Sequence, residues 1–99
     1  DSITAGCGST DRSRDAYPMV LDGLLPNDTV NSYFLGGSSA TRGTPRPFYG
    51  SMAHQLALAT KPDAVLIMLG TNDSKDRVWQ LARFERDLEA LAAGFARLP

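Results

Sequence analysis

Apolar positions recur along this chain in two rhythms, one helical and one continuous. Tyr17, Val20, Leu21, Leu24 and Leu25 fall at spacings of three and four, with Pro18 suited to a first turn and Pro26 a stop. Residues 17–25 are therefore expected to form a short amphipathic helix, with Gly23 a mild penalty. Residues 29–35, rich in β-branched and aromatic side chains and ending at Gly36-Gly37, are expected to form a strand running into a loop. Ser51 can cap a helix carrying Met52, Gln55, Leu56 and Ala59 up to Lys61-Pro62. The run from Ala64 to Leu69 is apolar throughout, as expected for a strand covered on both faces. Val78, Leu81, Phe84, Leu88, Leu91 and Phe95 then predict a long amphipathic helix, with Arg83, Glu85, Arg86, Asp87 and Glu89 largely on its other faces.

Gly, Ser and Thr gather in three places, residues 6–13, 36–44 and 70–74, and these are expected to be loops. Helices alternating with strands favour an α/β fold, a parallel sheet with right-handed crossovers and helices on both faces. Ligands of such sheets sit beyond the carboxyl ends of the strands, so the three polar loops should converge on one edge.

The composition narrows the partners. Ninety-nine residues fit one domain at most, and 42% hydrophobic with 21% charged residues is ordinary globular material. Ten basic against eleven acidic residues, with no basic run, argue against nucleic acid. The longest apolar run is far short of the roughly 20 residues that span a bilayer. The single cysteine, Cys7, excludes an internal disulfide and a multi-thiolate metal site, and no basic neighbour marks it as reactive, so it is read as a small packing residue.

Candidate chemistry lies in the loops. Ser2 opens the chain ahead of Gly6, Asn72 follows an apolar run within Gly70-Thr71-Asn72-Asp73, and Gly37 offers an unobstructed main-chain N–H. A serine hydroxyl, a main-chain amide and a carboxamide are thus expected to face one place. Gly6-Cys7-Gly8-Ser9-Thr10 suggests a phosphate cradle only weakly, because the Lys-Ser/Thr ending of a P-loop is missing. His54 is read as a surface or satisfied histidine, Asp73 as structural, and Asp73 or Ser74 as the cap of the last helix. Trp79 and Arg83 are placed at the border of the cleft, with solvent the ordinary setting of Arg83.

With these residues in view, the sequence resembles the SGNH, or GDSL, hydrolases, a superfamily of esterases and lipases. Asp1-Ser2-Ile3-Thr4-Ala5-Gly6 is similar to the first block of that family, Gly-Asp-Ser-Ile/Leu-Thr/Ser-x-Gly. Residues 31–41 resemble the second block, Asn-x-Gly-x-x-Gly-x-Thr, and Gly70-Thr71-Asn72-Asp73 matches the third, Gly-x-Asn-Asp, in full. The resemblance implies a flavodoxin-like three-layer sandwich with a parallel sheet, incomplete at both ends. Residues 1–99 would then be part of a single domain lacking the first strand and the C-terminal portion, marginal or insoluble alone.

The resemblance further implies ester hydrolysis with no cofactor or metal. Ser2 is the nucleophile, and the oxyanion is held by the N–H of Ser2, the N–H of Gly37 and the side chain of Asn72. A second alignment of residues 36–41 makes Ser39 the main-chain donor instead. The family's base comes from a late Asp-x-x-His, which is not present: the one histidine is His54, with Ser51 three residues before it. A fragment of an active esterase, a catalytically inactive binding module of the same fold, and a flavodoxin-like phosphate binder using residues 6–13 are the alternatives. The resemblance implies a small-molecule or carbohydrate ester as substrate, with lysophospholipids and thioesters as alternatives, and the run Gly70 to Lys75 with Trp79 resembles acetylesterases acting on carbohydrates.

Overall fold

The structure is a computed structural model that describes residues 1–75 and 79–99. Its helices are α1 (Arg12–Asp15), α2 (Tyr17–Leu24), α3 (Met52–Ala59) and α4 (Leu81–Ala96), with a 3-10 turn at Asp73–Lys75. Pro18 lies buried in the first turn of α2, where its missing N–H costs nothing, and the helix ends ahead of Pro26 as expected. Ser51 caps α3 by accepting from the N–H of His54 at 3.2 Å, and Lys61, at φ 48°, turns the chain out before Pro62.

Two helix starts differ from expectation. Helix α1 begins inside what reads as a glycine-rich loop, because Asp11 Oδ1 accepts from the N–H of Ser13 at 3.0 Å and from its hydroxyl at 2.6 Å. At the other end, neither Asp73 nor Ser74 caps the last helix. Both stand in the separate 3-10 turn, and Gln80 occupies the N-cap position of α4. Val78, expected to open that helix, lies outside the described residues.

The larger correction concerns the sheet. Among the described residues no strand forms, and β pairing is limited to an isolated parallel bridge between Ser39 and Pro47. A strand exists only through main-chain bonds to a neighbour. Residues 29–33 and 64–69 do not pair with each other, and both line a cavity of about 930 Å³. The three-layer sandwich with a parallel sheet is therefore not seen among the described residues. Val65, Leu66 and Met68, expected to be covered on both faces, are 43, 67 and 43% exposed.

Among the described residues the buried apolar side chains are correspondingly few: Ala16, Pro18, Ala40, Phe48, Ala57 and Leu91. On α4 the stripe is half realised, with Leu91 buried, Phe84, Leu88 and Phe95 half-buried and Leu81 exposed. Gly6 seats the opening turn on the first two helices. Its φ is +86°, and a Cβ there would lie 2.9 Å from that of Ala16, so both conformation and space require glycine. Its neighbour Cys7 is exposed, not the packing residue expected.

Candidate functional site

Ser2 is half-buried in a turn fixed at both ends. Asp1 Oδ1 accepts from the N–H of Ile3 at 2.9 Å, and the carbonyl of Ser2 accepts from the N–H of Cys7 at 2.8 Å. Asp1 is 3% exposed, and its Oδ2 has no partner among the described residues.

The second loop begins with a tight turn in which the N–H of Ser38 donates to the carbonyl of Leu35 at 3.1 Å. Gly37, third in that turn, has φ +76°, the value a type II turn demands there. A Cβ at Gly37 would meet only Arg46 Cδ at 3.7 Å, so conformation and not crowding selects glycine. The N–H of Gly37 makes no main-chain hydrogen bond among the described residues, whereas that of Ser39, the alternative donor, is spent on the carbonyl of Arg46 at 3.1 Å.

Asn72 joins this loop to the third. Its Nδ2 donates to the carbonyl of Ser38 at 2.9 Å, leaving the second amide hydrogen for another acceptor. Asp73, 1% exposed, accepts from the N–H of Ala40 at 2.9 Å and of Thr41 at 2.8 Å, one to each carboxylate oxygen. The structure thus brings the Gly37 and Asn72 loops together. Among the described residues no hydrogen bond ties the opening turn of Ser2 to either.

A third buried carboxylate escaped the pattern reading. Asp87, assigned to the outer faces of the last helix, is 1% exposed and accepts from the N–H of Arg42 at 2.9 Å. Arg86 Nε sits 2.8 Å from its Oδ1. That guanidinium, helped by the Arg42 N–H, holds the Asp87 carboxyl below the usual range against the opposing pull of burial. The signal was present in the spacing: Asp87 stands between Phe84 and Leu91 at steps of three and four, a carboxylate on the apolar stripe.

His54 is buried and not at the surface, with Nδ1 accepting from the N–H of Gly50 at 3.0 Å. Its ring packs among Phe48, Tyr49 and Phe95, and Nε2 has no partner among the described residues. Burial lowers its pKa, favouring the neutral ring. Among the described residues no serine hydroxyl is hydrogen-bonded to the ring. Trp79 and Arg83 line a small hollow with Thr41, Thr44 and Asp73, at the back of the second loop. Among the described residues no group of three or more His, Cys, Asp or Glu is arranged to hold a metal, and no helix is long and apolar enough to cross a membrane.

Comparison with known proteins covers nearly the whole chain. The model of the GDSL-like lipase/acylhydrolase family matches residues 1–98. An acetylxylan esterase of Xylanibacter ruminicola is 39% identical over 93 residues, which are 92% of this chain and 19% of that protein. The chain therefore spans about a fifth of the curated relative it matches. No solved structure matches it at a significant level.

Proposed function

The chain belongs to the GDSL-like lipase/acylhydrolase family, and on that premise we propose that it carries the nucleophile and oxyanion half of a serine esterase acting on acetyl esters of carbohydrates. Ser2 Oγ attacks the ester carbonyl, and the N–H groups of Ser2 and Gly37 and the carboxamide of Asn72 hold the tetrahedral oxyanion. Collapse of that intermediate breaks the ester C–O bond and expels the carbohydrate hydroxyl, which leaves with the proton given up by Ser2; water then hydrolyses the acetyl-serine, returning Ser2 and releasing acetate. The observation that carries this reading is the Asn72–Ser38 bond, which sets the carboxamide against the turn bearing the Gly37 N–H. Engagement of the Ser39 N–H by Arg46 favours Gly37 over the alternative donor. Acetyl specificity is supported by the resemblance to the acetylxylan esterase.

The base for Ser2 is not among these 99 residues, since their one histidine is buried on Gly50. A protein that supplies an Asp-x-x-His is the enzyme. A protein without one is the inactive binding module. Acetate release from acetylated xylo-oligosaccharides by the full-length protein decides between them. Turnover abolished by Ser2→Ala is expected, and binding of the ester without turnover would replace the enzyme with the binding module.

A further inference from the structure

Resting on that reading, we propose that Asp73 is a positioning residue for the oxyanion site: its buried carboxylate fixes the second loop, and with it the Gly37 N–H, against the carboxamide of Asn72. Adjacent side chains of the third loop grip the second with opposite polarity. Asn72 donates to the carbonyl of Ser38, while Asp73 accepts from the N–H groups of Ala40 and Thr41. Three bonds thus span four residues, and Gly37 is the next residue along. With its N–H the donor in question and the Leu35–Ser38 turn closing the other side, the loop cannot slide or tilt without breaking one of them.

The carboxylate is chemically specific for this task. Each N–H needs an acceptor, and the two side-chain oxygens of Asp73 serve one apiece. An asparagine fills the same volume but turns an NH₂ group towards one of the two donors. A shift of about 1 Å in a catalytic donor costs on the order of a hundredfold in rate. The second loop is also held from α4, where Asp87 takes the N–H of Arg42, so three successive N–H groups end on buried carboxylates. Asp87 secures the far end of the loop, leaving Asp73 as the group next to the donors.

The test compares kcat and KM for acetyl-ester hydrolysis in the full-length protein and its Asp73→Asn and Asn72→Ala variants, with folding followed by circular dichroism. Asp73→Asn is expected to lower kcat about 10- to 100-fold while KM stays within about twofold, the pattern of a contact realised in the transition state. The rate of Ser2 phosphonylation should fall in parallel. If Asp73→Asn does not fold, the same split is read on Asp73→Ser, whose smaller side chain admits a water to the two N–H groups. Unchanged kcat, or equal damage to kcat and KM, overturns the positioning role while Asn72→Ala remains impaired. An Asn72→Ala variant with full activity overturns the underlying reading instead.

Discussion

Asn72 and Ser38 are joined by a 2.9 Å hydrogen bond from carboxamide to carbonyl, a bond that ties together two loops 34 residues apart in sequence. The bond uses one amide hydrogen of Asn72, and under the proposed function the other is the one that meets the oxyanion. This economy explains why asparagine and not a hydroxyl residue suits the position: a serine has a single hydrogen to give.

Removing that side chain should therefore separate rate from stability. Asn72→Ala is expected to lower kcat by about 10²–10³ through loss of one oxyanion donor. Loss of the bond to Ser38 should cost only about 1 kcal/mol in folding free energy. Steady-state kinetics and urea denaturation of the same variant check both figures.

Gly6 and Gly8 separate space from conformation. Both have positive φ, but a Cβ at Gly6 would collide with Ala16 whereas one at Gly8 meets nothing within 4 Å. Gly8→Ala is expected to cost about 1–2 kcal/mol from the backbone alone. Overpacking at Gly6→Ala adds about 1–3 kcal/mol to that. Denaturation midpoints should fall in the order parent, Gly8→Ala, Gly6→Ala.

His54 makes stability depend on pH. Its folded pKa lies below the ordinary 6.5, so the unfolded chain takes up a proton that the folded one resists. The stabilisation is complete above pH 6.5 and is lost as pH falls through that value towards the lower folded pKa. Protonation also removes the acceptor that Nδ1 offers to Gly50. Tm should therefore drop on acidification from about pH 7.5 to 5, and His54→Phe should flatten that slope. Asp87, whose folded pKa is depressed, acts in a separate window: its contribution is present above the ordinary 3.8 and lost as pH falls below it.

Asp87→Ala should destabilise more than an ordinary surface charge change, because it removes a buried carboxylate that accepts the Arg42 N–H and pairs with Arg86. The expected cost is about 1–3 kcal/mol, read from chemical denaturation, while Asp15→Ala, whose partner Arg14 is exposed, should be close to neutral.

The sequence was most legible where local chemistry decides structure. Pro18, Pro26 and Ser51 mark the bounds of α2 and α3, since a missing N–H or a capping oxygen acts within one turn. Residues 29–35 and 64–69 carry strand composition, yet pairing depends on main chain elsewhere, and residues 29–33 and 64–69 line a cavity without a ladder. Of the candidate site residues, Gly37 and Asn72 were visible as loop residues after apolar runs, and Ser2 as a serine at the start of the chain ahead of Gly6. What Asp73 and Asp87 hold was not, because their donors are main-chain N–H groups that any residue carries.

The claim on which the rest depends is that Ser2 is the nucleophile. The direct measurement is mass-spectrometric mapping of a serine-directed phosphonate on the full-length protein, read beside acetyl-ester turnover. One label on Ser2, with label and turnover both lost in Ser2→Ala, is the predicted result. A label on any other residue, or turnover that survives Ser2→Ala, would contradict it.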